Sequence, residues 1–219
     1  RQRQMCIRDS HNISSLIVPI DLYDSIEIKE TNADVDKIQF DKEGISEENT
    51  ISKSLNLLRS RSNLPGFFDI TIKKNIPIEA GLGGGSSNAA GIISTLTKKY
   101  NLQMPTYREI AVNVGSDVPF FITGKPANIF GIGDIVNPSN FQKDINMILV
   151  VPNERISTKD AFSLFDKLGQ DNLEINEYEE LKIFNDFWIP AQTLEPNLLK
   201  IKNNLESITN LEFYLSGSG

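Results

Sequence analysis

The sequence predicts an α+β fold, in which short strands and amphipathic helices follow one another along the chain. Residues 68–73 alternate apolar and polar side chains, which is the two-residue period of a half-buried strand. From Ala89 to Tyr100, apolar residues recur at the 3.6-residue spacing of one helix face. Since neither pattern repeats at a fixed longer interval, we expect a globular α+β protein rather than a repeat array.

The first elements are read from alternation, caps and glycine stops. In order, we expect strands within Ser15–Ile28, an exposed hairpin and loop over Glu30–Glu48, a helix from an Asn49 cap to Ser60, a strand over Phe68–Lys73, a helix over Ser87–Tyr100, a helix from a Thr106 cap to Gly115, and a hairpin of Ala127–Phe130 with Ile135–Val136.

The remaining elements follow from the same signals. We expect a buried strand at Met147–Val151, a helix from a Ser157 cap to a Gly169 stop with Ala161, Phe162, Phe165 and Leu168 inward, a solvated loop over Asp171–Glu180, a helix with Leu194, Leu198, Ile201 and Leu205 on one stripe, and a strand at Leu211–Leu215.

Composition excludes several classes of function. The chain has 219 residues and a net charge of −7, which argues against a broad nucleic-acid or anionic-membrane surface. A single Cys and a single His exclude an internal disulfide and a zinc site of ordinary spacing. No apolar run approaches the roughly 18 residues of a membrane span. Because residues 1–8 contain no apolar signal segment, we expect a cytoplasmic protein.

Both ends of the sequence differ from the rest. Residues 1–10 hold three basic residues and the only Cys, while the following stretch is acidic. We expect this segment to be a non-native leader, with a small basic arm as the alternative. The sequence stops at Ser216–Gly219, a glycine loop that follows an expected strand. We therefore expect a chain that is truncated at both ends.

The strongest functional signal is a run of glycines and serines between the strand at 68–73 and the following helix. This glycine loop is made up of Pro77, Ile78, Glu79, Ala80, Gly81, Leu82, Gly83, Gly84, Gly85, Ser86, Ser87 and Asn88. Glycines permit positive φ and close approach to a ligand, and the helix that follows directs its unpaired N–H groups into the loop. The pattern predicts an anion cradle, in which Ser86 or Ser87 can also bind phosphate or a magnesium ion.

Other phosphate motifs fit this loop poorly. A Walker A loop requires a Lys before its Ser or Thr, and residues 75–97 contain no Lys. The dinucleotide fingerprint requires Gly or Ala at the position of Ser86, and an acidic residue where Lys98 and Lys99 stand. A purely structural glycine turn remains an alternative.

Residues 77–90 resemble the nucleotide-phosphate loop of the GHMP kinases, the family of galacto-, homoserine, mevalonate and phosphomevalonate kinases. The resemblance covers most of residues 11–219. It includes Ile20–Asp24, Gly115–Phe121, Gly131–Asp134, Asn185–Phe187 and Ser216–Gly219. Three glycines before Ser86 are typical of the branch that acts on a cytidine-diphosphate-linked methylerythritol. Other branches usually have one glycine followed by serines.

The resemblance implies a two-lobed GHMP kinase fold that divides near Val151. Residues 11–150 would form an ATP-binding lobe like ribosomal protein S5 without its first strand, and 151–219 a partial ferredoxin-like lobe. ATP with Mg2+ would be the phosphate donor. Asp117 matches the catalytic Asp of the family, although by itself it reads as a cap or turn residue. The family's lysine partner of that Asp is matched by neither Lys73 nor Lys125.

The resemblance also implies residues that bind the small-molecule substrate. His11 matches a His that helps to recognise cytosine, and Phe162, near Thr158, matches the ring that stacks on it. By periodicity alone, Phe162 is a core residue. Ser216 and Gly217 resemble the start of a second glycine loop that closes over the active site.

The expected reaction is ATP-dependent phosphorylation of the 2-hydroxyl of that substrate, which serves the non-mevalonate synthesis of isoprenoid precursors. Two alternatives remain. One is another kinase of the family, of the homoserine or phosphomevalonate type. The other is a nucleotide-binding fragment without turnover, because the lysine partner of Asp117 is not matched. The sequence does not indicate an oligomeric state.

Overall fold

The structure is a computed structural model that describes residues 13–102, 107–142, 145–168 and 183–217. Its residues divide into two units. The larger unit is drawn from 11–77 and 83–143, and the smaller unit from 78–82 and 144–219. Strands and helices are both present, as expected for an α+β fold. No helix among the described residues is long and apolar enough to cross a membrane.

The larger unit contains all the strands that the structure describes. Its elements are β1 (Ile13–Ile17), β2 (Ser25–Thr31), β3 (Lys37–Phe40), α1 (Thr50–Ser62), β4 (Phe67–Lys73), α2 (Gly84–Tyr100), α3 (Tyr107–Val114), α4 (Val118–Thr123), β5 (Ala127–Gly131) and β6 (Ile135–Pro138). One sheet has the order β1-β5-β6 and is antiparallel, which confirms the expected hairpin of β5 and β6. The other has the order β2-β4-β3.

The expected hairpin over residues 30–48 was wrong. β2 and β3 do not pair with each other, because each pairs with β4, β2 antiparallel and β3 parallel. A parallel pair needs a crossover connection, and α1 supplies it between β3 and β4. The inward faces of these strands and of α1, α2 and α3 form the main apolar core, which includes Leu55, Ile70 and Ile92, all at most 1% exposed.

Two helix starts were predicted with different success. Asn49 caps α1 as expected, since its side chain accepts hydrogen bonds from the N–H groups of Ile51 and Ser52. α2, however, begins at Gly84, three residues before the expected Ser87. The last two glycines of the loop therefore belong to the first helical turn.

The smaller unit consists of α5 (Thr158–Leu168), α6 (Trp188–Leu194) and α7 (Asn197–Thr209), with no strand among its described residues. The buried strand expected at Met147–Val151 was wrong, since these five side chains are 37–59% exposed and form no sheet ladder. The hydrophobic run alone could not supply the partner strand that burial requires.

The strand expected at Leu211–Leu215 also does not form. Its backbone groups are bound by side chains instead: Lys202 Nζ donates to the carbonyl of Phe213 at 2.7 Å, and the N–H of Phe213 donates to Glu206 at 3.0 Å.

Two helix assignments in the smaller unit need correction. Leu194 ends α6 and is not part of the α7 stripe, because the helix is interrupted at 195–196. Leu168, expected inward on α5, is 44% exposed at the end of that helix. Five predictions lie outside the described residues: the leader 1–10, His11, the Thr106 cap, the Gly169 stop and the loop Asp171–Glu180.

Candidate active site

The N-terminus of α2 has the features of an anion-binding helix start. Gly83, at φ 65°, directly precedes the helix, and no side chain of the described residues caps it. This contrasts with α1, where the Asn49 side chain satisfies two of the first N–H groups. The first N–H groups of α2 therefore remain at the positive end of a 17-residue helix dipole. That arrangement is typical of phosphate-binding helix starts.

Close packing joins this helix start to the segment that carries Asp117. A Cβ atom at Gly83 would lie 2.6 Å from Cε2 of Phe121 in α4, so a larger residue would have to displace that ring. A Cβ atom at Gly115 would lie 3.8 Å from Oγ of Ser86. The Ser86 hydroxyl and the backbone just before Asp117 are therefore neighbours in the larger unit.

Asp117 precedes α4 without capping it. Its half-buried carboxylate accepts a hydrogen bond from the Ser116 hydroxyl at 3.2 Å and makes no capping hydrogen bond to the N–H groups of α4. The N–H of Val118 instead donates to the carbonyl of Gly115 at 3.1 Å, which closes the turn. Asp117 therefore stands at the N-cap position of α4 and within a turn, as the cap-or-turn alternative expects, but its side chain does not supply the capping hydrogen bond.

The two serines of the loop differ in their surroundings. The Ser87 hydroxyl donates to the carbonyl of Gly84 at 2.9 Å, inside the first turn of α2. Ser86 faces Gly115, as described above. Ser86 is therefore the better placed of the two for a phosphate oxygen or a magnesium ion. Among the described residues, no cluster of three or more acidic, His or Cys side chains could hold a metal by itself.

A buried ion pair supports the start of α2. The ammonium group of Lys74 pairs with Asp24, and the two side chains are only 5% and 1% exposed. A Cβ atom at Gly84 would lie 3.1 Å from Nζ of Lys74 and 3.0 Å from Cγ2 of Ile76. A larger residue at Gly84 would therefore press on these two side chains, which would have to shift by a few tenths of an ångström.

Asp24 accepts hydrogen bonds from two segments of the larger unit, residues 74–76 and α2. Its Oδ1 accepts from the N–H groups of Asn75 and Ile76, both at 2.8 Å, and the buried Asn88 side chain in α2 also binds it. Burial raises the pKa of Asp24, but the hydrogen bonds from Lys74, the two N–H groups and Asn88 outweigh it. The pKa therefore lies below its ordinary value of 3.8.

Asp24 and Lys74 were missed at the sequence level, although a signal was present. Phe68, Ile70 and Ile72 face the core of the larger unit, and Lys74 continues this even-numbered series, whereas Lys73 is exposed. A lysine in phase with a buried strand face requires an acidic partner.

The first part of the glycine loop belongs to the smaller unit. Gly81, at φ 65°, contacts the 215–217 segment: a Cβ atom there would lie 2.1 Å from the carbonyl oxygen of Ser216. The Ser216 hydroxyl donates to the carbonyl of Gly81 at 3.3 Å. Gly217, at φ 73°, would place a Cβ atom 3.0 Å from Cα of Gly81. Two backbone segments thus touch with no side chain between them.

The other residues assigned to ligand binding are placed as follows. Pro77, Ala80 and Leu82 are half-buried, and Ile78 and Glu79 are exposed. Thr158 is exposed at the start of α5. Phe162 is only 5% exposed and meets the Phe187 ring edge-on at 4.6 Å, which is the packing of a core residue. Its role in stacking on cytosine stays a prediction.

Comparison with known proteins identifies the family. The pattern of the GHMP kinases N terminal domain matches residues 49–125. The chain is 34% identical to the 4-diphosphocytidyl-2-C-methyl-D-erythritol kinase of Prochlorococcus marinus strain MIT 9301, over 92% of this chain and 68% of that relative. It is also 34% identical to the enzyme of the same name from Bacteroides fragilis strain YCH46, over 95% of this chain and 81% of that relative.

A solved structure agrees with these relatives. The crystal structure of a 4-(cytidine 5'-diphospho)-2C-methyl-D-erythritol kinase superposes with a TM-score of 0.74 and 25% identity, covering 95% of this chain and 79% of that one. The glycine loop, the uncapped start of α2 and the Asp117 segment thus lie in a chain that belongs to the 4-diphosphocytidyl-2-C-methyl-D-erythritol kinase family, a branch of the GHMP kinases.

Proposed function

We propose that this chain transfers the γ-phosphoryl group of ATP to the 2-hydroxyl of 4-diphosphocytidyl-2-C-methyl-D-erythritol, in the non-mevalonate synthesis of isoprenoid precursors. The observation that carries the proposal is the uncapped start of α2, with Ser86 next to the segment of Asp117. An anion cradle beside a carboxylate is the pairing that phosphoryl transfer to an alcohol requires.

Each group has a distinct part in this reaction. The first N–H groups of α2 hold phosphate oxygens and compensate their negative charge. Mg2+ would be bound mainly by the ATP phosphates, with Ser86 as the hydroxyl ligand that the chain offers, and it would neutralise charge on the transferred group. The substrate hydroxyl oxygen forms the new bond to phosphorus, ADP leaves, and the hydroxyl proton passes to Asp117 or is oriented by it.

The remaining assignments belong to the same proposal. Thr158, Phe162, Ser216 and Gly217 are assigned to the substrate through the family resemblance, together with His11. The cytoplasmic location expected from the sequence belongs to the proposal as well, and a single Cys in the chain agrees with it.

The test replaces Asp117 by Asn, a nearly isosteric residue that can neither accept the proton nor carry charge. We expect kcat for ADP release to fall by roughly 10²–10⁴ while KM for ATP stays nearly constant. Asp69→Asn, on the exposed face of β4, is the matched control and should leave both constants unchanged. A kcat within threefold of the parent would remove Asp117 from the mechanism.

A second candidate is ATP binding without turnover, because neither Lys73 nor Lys125 matches the family's lysine partner of Asp117. The two functions separate when ATP binding and turnover are measured side by side on this chain. Calorimetry measures ATP binding, and a coupled assay measures ADP release with the cytidyl substrate, homoserine or phosphomevalonate. Release with one of the latter two acceptors alone would point to another GHMP kinase.

A further inference from the structure

Asn185 uses its whole side-chain amide to connect two segments of the smaller unit. Its Nδ2 donates to the carbonyl of Leu215 at 2.9 Å and to that of Gly217 at 2.8 Å. Its Oδ1 accepts from the N–H of Phe187 at 2.9 Å. Both amide hydrogens and the carbonyl oxygen are therefore engaged, in three short hydrogen bonds.

Aromatic packing holds Phe187, the residue whose N–H binds the Asn185 side chain. The Phe187 ring meets Phe162 at 4.6 Å and Phe165 at 5.2 Å, and both of these rings are buried in α5. The carbonyl of Asn185 also accepts from the N–H of Trp188, where α6 begins, at 2.9 Å. Asn185 is thus anchored to two helices before it reaches the 215–217 segment.

The 215–217 segment needs such a fastening, because no neighbouring strand holds it in the described residues. It nevertheless touches Gly81 backbone to backbone, at a distance that excludes any side chain. The Ser216 hydroxyl supplies one long hydrogen bond at 3.3 Å to this contact. The two shorter bonds from Asn185 fasten this segment at both of its ends, Leu215 and Gly217.

We propose that Asn185 is a positioning residue for the kinase reaction, whose side-chain amide holds the 215–217 segment against Gly81 of the glycine loop. For its effect on catalysis, this inference rests on the proposed function. Asn185 touches neither ATP nor the acceptor in this role. It acts through Ser216 and Gly217, whose own assignment is to the substrate.

The test uses variants of Asn185 that keep an acceptor oxygen in the side chain but lose the two hydrogen bonds that Nδ2 donates. Asn185→Asp keeps the shape and the acceptor for the N–H of Phe187 but loses both donors. Asn185→Ser adds no charge and keeps an acceptor oxygen, but its shorter side chain has a single hydroxyl donor and cannot make both bonds to the carbonyls of Leu215 and Gly217. Asn204→Asp, on the exposed face of α7, is the control for the charge change. Hydrogen exchange by mass spectrometry follows the amides of 215–217, and steady-state kinetics and thermal melts are recorded in parallel.

We expect both Asn185 variants to exchange at 215–217 at least tenfold faster than the parent, while α7 keeps its protection. KM for the cytidyl substrate should rise by about 10- to 30-fold, the factor that the loss of one or two hydrogen bonds gives. The melting temperature should change little, and the control should match the parent.

Unchanged exchange at 215–217 would overturn the inference. A lower melting temperature with unchanged KM and kcat would also overturn it, since the role would then be structural only. If the parent releases no ADP with any acceptor, the proposed function fails. In that case, faster exchange accompanied by weaker ATP binding in calorimetry supports the positioning of the glycine loop, and faster exchange with equal ATP affinity refutes it.

Discussion

Gly81 and Gly66 share a left-handed backbone conformation but differ in their surroundings. Substitutions at the two positions therefore distinguish the cost of backbone strain from the cost of a steric contact. Their φ angles are 65° and 68°. A Cβ atom at Gly66 would meet nothing within 4 Å, whereas at Gly81 it would lie 2.1 Å from the Ser216 carbonyl oxygen. Alanine at either position adopts the left-handed region at a cost of about 1–2 kcal/mol. Only at Gly81 must the neighbouring backbone also move.

We therefore expect Gly66→Ala to lower stability modestly and to leave kinase activity intact. Gly81→Ala should displace the 215–217 segment and raise KM for the substrates by about tenfold or more, the factor that corresponds to 1.4 kcal/mol. Thermal melts and steady-state kinetics of the two variants measure the difference. Equal kinetic constants for both variants would show that the contact at Gly81 has no functional consequence.

The neighbouring hydroxyls Ser86 and Ser87 form a second informative pair. Ser87 is bound to the carbonyl of Gly84, whereas Ser86 faces the segment of Asp117. We expect Ser86→Ala to raise KM for ATP and to raise the Mg2+ concentration needed for half-maximal ADP release, because a ligand hydroxyl is lost. Ser87→Ala should mainly lower the melting temperature. The rate of ADP release, titrated against ATP and Mg2+, measures the first effect, and thermal melts measure the second. If Ser87→Ala changed the ATP and Mg2+ dependence and Ser86→Ala changed only the melting temperature, the two roles would be exchanged.

At the scale of the element, the start of α2 depends on a charge that lies in the core. Removing one partner of a buried ion pair leaves the other uncompensated, at a cost of about 3–5 kcal/mol. We expect Lys74→Met to lower the free energy of unfolding by that amount and to weaken ATP binding. Lys73→Met, one residue earlier and exposed, should stay within about 0.5 kcal/mol of the parent.

Urea unfolding and ATP calorimetry of these two variants test the prediction. The double variant Asp24→Asn/Lys74→Met serves as a further control, since it removes both charges and should be more stable than Lys74→Met alone. If Lys74→Met and Lys73→Met lost the same stability, the ion pair would not support this helix.

The sequence predicted those elements whose stability comes from their own period and caps. α1 with its Asn49 cap, β4 and the β5–β6 hairpin are examples, because each depends on local interactions. The pairing of β3 with β4 was not predictable in this way, since it joins residues on either side of α1. The hydrophobic run 147–151 misled for the same reason: a strand is buried only when a partner is present.

The candidate site follows the same division. The glycine loop and Asp117 were found because their residue types are unusual in sequence. The expectation that the glycine run provides positive φ holds at Gly81 and Gly83, whereas Gly84 lies in the first turn of α2, with Lys74 and Ile76 close to where a Cβ atom would be. Asn185 could not be assigned a role from sequence, since the carbonyl groups that it binds are 30 and 32 residues away. For Asp24 the signal was indirect, through Lys74 in phase with the buried face of β4.

At the scale of the whole molecule, the two units contain carboxyl groups whose pKa values move in opposite directions. The pKa of Asp24, in the larger unit, is lowered from 3.8. Its contribution to stability is therefore present above pH 3.8 and is lost as pH falls through the lower value of the folded state. The pKa of Asp186, in the smaller unit, is raised from 3.8 by burial. Its folded state thus favours the protonated form, and stability falls as pH rises from 3.8 through the raised value.

Because burial raises the pKa of Asp186, we expect Asp186→Asn to stabilise the smaller unit at pH 7. The amide is nearly isosteric with the carboxyl group but carries no charge, so the penalty of a half-buried carboxylate disappears. The gain in the urea midpoint, followed by the fluorescence of the single Trp188 at the start of α6, should be largest at pH 7 and should shrink towards pH 4, where the parent carboxyl group becomes protonated. Asp166→Asn, exposed on α5, removes the same charge and should give no such gain. A gain for Asp186→Asn that stayed constant between pH 7 and pH 4 would show that the effect comes from packing and not from the charge.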